Sequence, residues 1–324
     1  MLIVTSRDLE RNKVCMLSDI SLKPNDKVGL ICTGSICLQA DHPHITQTFL
    51  REQYGLNSIF KHDTVQAIHP SERADIFLEY LFNPDIKLIT AIRGGEGTAD
   101  ILPFIHQQYK KIKLLPPKFI LGFSDFTALL VYFAKYYQWP VIHGSSPLQF
   151  ALNKVDKQTE EITMRLLFCG LQNAEMSLIP LNDKANTPGI IQAELTGGCL
   201  SLIDISIKDI WEIETENKIL FFEDVSEKAH KIIRSLKYFS RIGLFQSVKA
   251  IIFGDFNAEL IGCDNIQQEN NRANIMKILK SFAENQNFPV LHTHHFGHGK
   301  TNWPLVYSST YYLKLGKKPI FYKM

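Results

Sequence analysis

No apolar run in this chain approaches the ~20 residues of a membrane span, and the amino-terminal MLIVTSRDLERNK breaks its apolar start at Arg7 and Asp8, before a signal-peptide core forms. A cytoplasmic location is the resulting expectation. Neither sign of charge is in excess: 35 Lys+Arg stand against 33 Asp+Glu, a formal net charge of +2, with no long basic block. Lacking an electrostatic footprint, the sequence argues against nucleic acid and membrane as partners and favours a small-molecule or peptide substrate. The six cysteines (Cys15, Cys32, Cys37, Cys169, Cys199 and Cys263) include no CxxC pair. That suits reduced thiols better than a disulfide framework or a zinc site, and mostly buried apolar fillers are the expectation. Internal repeats and low-complexity segments are also missing. What remains is an ordinary globular composition, 45% hydrophobic and 21% charged over 324 residues, long enough for two compact domains.

From Lys27 onward, short apolar runs alternate with amphipathic stretches: strands at 28–32, 87–92, 119–121 and 140–143, helices around 44–54, from Ser71, at its N-cap position, to near Asn83, and over 98–109. Such alternation implies parallel β-α-β units. The polar stretches 153–161 and 181–189 are linker candidates. The pattern then restarts with strands at 190–195, 218–223 and 248–253 and a helix carrying Ala229, Ile232, Ile233, Leu236 and Phe239 at helical spacing. The expected fold is α/β in two domains: an N-terminal parallel-sheet domain (1–165), a linker (166–189) and a C-terminal α/β domain (190–324).

The stretch FILGFSDFTALL (119–130) puts Ser124 between a strand and a helix. A serine there serves either as a helix cap or as a nucleophile at a strand end. G-F-S-D-F lacks the second glycine of the G-x-S-x-G elbow, so a standard α/β-hydrolase is not supported. Arg93-Gly94-Gly95-Glu96-Gly97 reads as a tight strand-to-helix turn, or as a loop whose backbone N–H groups approach an anion or oxyanion. Gly299-Lys300-Thr301 does not complete a P-loop, because His294 stands where its first glycine is needed. His292, His294, His295 and His298 invite a metal, but no carboxylate or cysteine lies among them at a recognised ligand spacing. One of them acting as a base fits better, and His298, between Gly297 and Gly299, is the candidate. Glu223 and Asp224 end an apolar strand; they should point to opposite sides, so only one can orient a histidine.

In order and approximate spacing, AIRGGEGTADILPFI, FILGFSDFTALL, LTGGCLSLI, KILFFEDVSEKAHKIIRSL and the late FGHG segment resemble the serine LD-carboxypeptidase family, whose members include cytoplasmic muramoyltetrapeptide carboxypeptidases. The resemblance implies Ser124 as nucleophile, His298 as general base and Glu223 as its orienting carboxylate. It also implies that the Asp125 backbone N–H, with an amide of Gly94 or Gly95, binds the oxyanion, all in a cleft between the two domains. No metal or other cofactor is implied. The implied substrate is murein tetrapeptide, cut at the L-D amide bond before its terminal D-alanine, and the family's habit implies a homodimer. Glu96 stands where the family has an aromatic residue and Cys199 where it has asparagine, so both stretches are expected to meet substrate differently. The related microcin C self-immunity peptidases share the catalytic set but cleave a peptidyl- or aminoacyl-nucleotide amide. A binding protein that kept the cleft without activity is the non-enzyme alternative.

Overall fold

The computed structural model describes residues 17–34, 39–61, 69–170, 174–257 and 264–323. The amino-terminal segment, Cys15, Cys37 and Cys263 lie outside them. Five parallel strands, β1 (Lys27–Ile31), β2 (Asn57–Phe60), β3 (Ile86–Ala91), β4 (Phe119–Gly122) and β5 (Ile142–His143), form most of the first sheet. The runs VGLI, LITA and FILG are buried almost throughout, as expected of parallel strands covered by helices on both faces.

The second sheet takes up β6 (Met176–Ser177), β7 (Ile179–Pro180), β8 (Gly189–Cys199), β9 (Ile219–Val225), β10 (Ala250–Asn257) and β11 (Val290–Gly297). After β12 (Leu305–Val306), it is completed by β13 (Thr310–Leu315) and β14 (Ile320–Tyr322). Its order is β6-β14-β13-β8-β9-β10-β11-β7, with β8 to β11 parallel and the outer strands antiparallel. The helix Ala229–Arg241 buries Ile232, Leu236 and Phe239 beside it, while Ile233 is only half-buried.

Several local expectations change. Ser71 does not cap its helix, which spans Pro70–Phe82; His69 precedes it, and Pro70 supplies a φ already suited to the first turn. The helix expected over 98–109 is broken into a 3-10 turn (Ala99–Ile101) and two short helices, Leu102–His106 and Tyr109–Ile112. Pro103, which has no N–H to continue a preceding turn, sits in the first turn of the second piece. The polar stretch 153–161 holds a helix start: the Asp156 carboxylate accepts from the Thr159 N–H at 2.7 Å and caps Lys157–Cys169. Of the described cysteines, Cys32 and Cys199 are buried but Cys169, at the end of that helix, is exposed.

The two sheets are stitched together. β12 crosses back to pair antiparallel with β5 (Leu305 with His143), becoming the sixth strand of the first sheet. Tyr307 Oη donates to the Gly197 carbonyl at 2.7 Å. Asn302 donates from its side chain to Ser145 Oγ and from its backbone to Thr159 Oγ1, both at 3.1 Å. The segment that follows His298 is therefore anchored on the first sheet's side. At Gly197, φ is 144°, and a Cβ there would collide with the Phe221 carbonyl oxygen. Glycine at 197 within β8 thus permits the close backbone approach between β8 and β9.

Candidate active site

β4 delivers Ser124. Its φ is +60°, in the left-handed region that a non-glycine residue enters at a cost of roughly 1–2 kcal/mol. It opens a 3-10 turn, Ser124–Phe126, that runs into the helix Thr127–Tyr137. The capping positions of these two elements are Phe123 and Phe126, and neither carries a side-chain cap bond. Ser124 is therefore a strained corner residue and not a cap.

The glycine loop lies against this corner. A Cβ on Gly94 would stand 3.1 Å from both Cβ and Oγ of Ser124 and 4.0 Å from the Asp125 nitrogen, so a side chain there would press on the serine. Asp125 is buried, and its carboxylate accepts from the Thr98 N–H at 2.9 Å and from the Thr98 hydroxyl. Thr98 is in turn bonded to Thr33 Oγ1 at 2.7 Å. The side chain of Asp125 thus braces the loop while its backbone nitrogen faces Gly94. Burial raises the Asp125 pKa, and the Thr98 donors oppose that rise.

β9 and the end of β11 deliver the other two side chains. Glu223 is fully buried, and its Oε2 accepts a hydrogen bond from His298 Nδ1. Burial alone would push His298 down, but the Glu223 charge and hydrogen bond outweigh it, so the imidazole sits above its usual value. Burial opposes the Glu223 charge likewise, and His298 more than offsets it, leaving the carboxyl below its usual value. Asp224 points the other way, accepting from the Ser201 N–H at 2.9 Å and from Cys199 Sγ at 3.3 Å. Burial, then the neighbouring Glu223 charge, pushes Asp224 up to about 6. Strand alternation accordingly turns Glu223, and not its neighbour Asp224, to His298.

Ser124, Gly94, Gly95 and His298 all line one cleft of about 960 Å³, together with Phe123 and Glu96. Phe123 packs its ring 4.8 Å from that of His298. Of the two positions at which altered contacts are expected, Glu96 lines the cleft, whereas Cys199 does not: it is buried at 2% exposure against Asp224 and Ser201, and its backbone N–H is bonded to Thr127. Arg93, Gln149 and Lys154 also line the cleft. So does Ser146, whose hydroxyl donates to the Ile92 carbonyl at 2.8 Å. The motif reading did not single out Ser146, Gln149 or Lys154, because the stretch that holds them carries no recognised motif spacing.

The other histidines are dispersed. His292 is buried, which pushes it down to about 4, and packs edge-on to His294 with ring centres 4.5 Å apart. His295 stacks 4.2 Å from Trp303 and meets Ser177 Oγ at 3.1 Å. Among the described residues, no three His, Cys, Asp or Glu side chains come together as a ligand set. No helix among them is long and apolar enough to cross a membrane.

Residues 28–144 match the LD-carboxypeptidase N-terminal domain, and residues 192–313 match the LD-carboxypeptidase C-terminal domain. The chain belongs to the LD-carboxypeptidase family. A protein of Rickettsia conorii named as a carboxypeptidase is 32% identical over 238 residues, 73% of this chain and 71% of its own length. The murein tetrapeptide carboxypeptidase of Pseudomonas aeruginosa is 24% identical over 231 residues, 68% of this chain and 71% of its own. Among solved structures, the muramoyltetrapeptide carboxypeptidase of Oxalobacter formigenes superposes with a TM-score of 0.72 at 22% identity, covering 91% of this chain and 97% of that one. An MccF-like protein from Bacillus anthracis does so with a TM-score of 0.77 at 18% identity, covering 94% and 98%. At those identities the structural likeness speaks for the LD-carboxypeptidase fold, two α/β domains with the cleft between them.

Proposed function

We propose that this family member is a serine peptidase that removes the terminal D-alanine of murein tetrapeptide by hydrolysing the preceding L-D amide bond, as part of cell-wall peptide recycling in the cytoplasm. The observation that carries the reading is the strained Ser124 corner opening onto the same cleft as a histidine already paired with a buried carboxylate. In this reading Ser124 Oγ attacks the scissile carbonyl. His298, its Nδ1 committed to Glu223, takes the hydroxyl proton at Nε2 and later passes it to the departing amine. The Asp125 N–H, with an amide of Gly94 or Gly95, receives the oxyanion where negative charge develops. Water then releases the acyl group by the same route, and neither metal nor cofactor enters a step. Arg93 and Lys154 give the cleft two cations suited to a substrate carboxylate.

Purified protein incubated with free tetrapeptide is expected to release D-alanine, read by mass spectrometry. The amidated tetrapeptide, an all-L analogue and a pentapeptide ending in D-Ala-D-Ala are expected to be poor substrates. Comparable rates on free and amidated tetrapeptide would overturn the carboxypeptidase assignment. A second reading, an immunity-type peptidase acting on an aminoacyl-nucleotide amide, draws on 46% identity to the Escherichia coli microcin C7 self-immunity protein, confined to 59 residues. Hydrolysis of an aminoacyl-sulfamoyl adenosine with no action on tetrapeptide would favour it. The proposal includes a homodimer, which light scattering tests directly.

A further inference from the structure

His143 ends β5 on the first sheet and is fully buried, with neither ring nitrogen hydrogen-bonded. Across the interface, Glu223 Oε1 is also buried and without a hydrogen bond, although Oε2 of the same carboxylate holds His298. These two unsatisfied groups face each other: His143 Nε2 stands 3.8 Å from Glu223 Oε1. A buried polar atom left without a partner costs about 1–3 kcal/mol. Two of them across a gap about 1 Å longer than a hydrogen bond form a donor and acceptor pair.

The other titratable groups around Glu223 are committed elsewhere. Tyr307 donates to the Gly197 carbonyl, and the Cys199 thiol donates to Asp224. Asp224 and Asp255 are acids that repel Glu223 and offer it no donor while ionised. His298 uses Oε2. That leaves His143 for Oε1. Its ring is seated edge-on between Phe123 and Phe221, with centres 6.1 and 5.1 Å away, so apolar walls confine it while its nitrogen faces the carboxylate. Burial, opposed only in part by Glu223, pushes it down to about 4, so it is a neutral imidazole with one N–H to place.

We propose that His143 is a positioning residue for the proposed peptidase: its Nε2–H is the second donor to Glu223, holding the carboxylate in the orientation that holds His298. This rests on the Ser124, His298 and Glu223 reading of the site. The donor would come from the first sheet and the carboxylate from the second, so the contact couples the base to docking of the two halves. It also divides the carboxylate's charge between two hydrogen bonds, which moderates how strongly Glu223 raises His298.

His143→Phe keeps the ring and removes the donor; His143→Gln puts an amide N–H near the position of Nε2. The Phe variant is expected to lose about 10- to 100-fold in kcat with KM within about twofold, and to shift the acid limb of the pH profile upward. The Gln variant should recover most of both. A Phe variant within twofold of wild type and with an unmoved acid limb, or a Gln variant no better than Phe, would overturn the proposal. If the Phe variant does not fold, 15N-histidine NMR of the wild-type protein decides the question without any substrate. His143 is expected as the neutral tautomer protonated at Nε2, unchanged down to about pH 5; protonation at Nδ1, or titration near 6.5, overturns it. Inertness toward tetrapeptide would sink the peptidase reading, whereas the wrong tautomer in an active enzyme would sink only this inference.

Discussion

On the first-sheet wall of the cleft, Ser124 is held by backbone geometry: a left-handed φ on a sharp corner, with a bare glycine pressed against it. On the second-sheet wall, Glu223 and His298 are held by buried charge. The two arrangements store free energy differently. A strained backbone is indifferent to pH, and relieving it stabilises the fold while removing the side chain it presents. A buried ion pair depends on both protonation states, and breaking it leaves a desolvated group unpartnered.

The largest expected effect sharpens the first half of this contrast. Ser124→Ala should lower kcat by about 10⁴-fold or more in a folded protein, and Ser124→Gly should do the same while raising stability by about 1 kcal/mol, because glycine adopts φ near +60° without penalty. Urea titration of both variants checks this; a Gly variant less stable than the Ala variant would mean the corner is not strained.

On the charged wall, Glu223→Gln should also lower kcat, by roughly 10³- to 10⁴-fold. Unlike the serine substitutions it should cost stability, about 1–3 kcal/mol, as a buried hydrogen-bonded charge is lost. Equal stability of Glu223→Gln and wild type would break the comparison.

The pH dependence gives a third test. The folded His298 pKa is raised, so its ion-pair contribution is complete below the unfolded value of about 6.5 and is lost as pH rises through the folded value. A general base must be neutral, so kcat/KM should rise over the same interval in which this part of the stability falls. Glu223, lowered on folding, adds stability present above about 4.3 and lost as pH falls through its folded value. Parallel curves of kcat/KM and urea midpoint against pH would contradict the assignment of His298.

Smaller effects follow at the edges of each wall. Gly94→Ala places a methyl 3.1 Å from Ser124 Oγ and should cost about 10-fold in kcat by displacing the corner, with little change in the denaturation midpoint. His294→Ala, exposed and touching His292 on a part of β11 away from the cleft, should leave kcat/KM within about twofold. Loss of activity in a chelator, restored by zinc, would instead show that the histidine cluster holds a metal.

How much could be read in advance differed between the two walls. FILG followed by helical spacing located the Ser124 corner, because a strand buried on both faces leaves a short continuous apolar run and the residues after it change to the spacing of a helix. Ser71 and the 98–109 stretch were misread because proline, through its fixed φ and missing N–H, overrode the residue patterns around it. His143 left no signal: one histidine in VIHG looks the same whether it faces solvent or a carboxylate 80 residues away.

The sequence by itself determined the alternation of strands and helices, the balance of charge and the places where chemistry-bearing side chains sit at element ends, since these depend on residues close together in the chain. Only the tertiary structure decided which of them meet. It turned Glu223 to His298 and Asp224 to Ser201, sent Cys199 away from the cleft, brought β12 back onto the first sheet, and set His143 opposite Glu223. The physical reason is that a hydrogen bond between two buried groups is fixed by the packing of the strands that carry them. That packing depends on apolar surfaces contributed from the whole length of the chain.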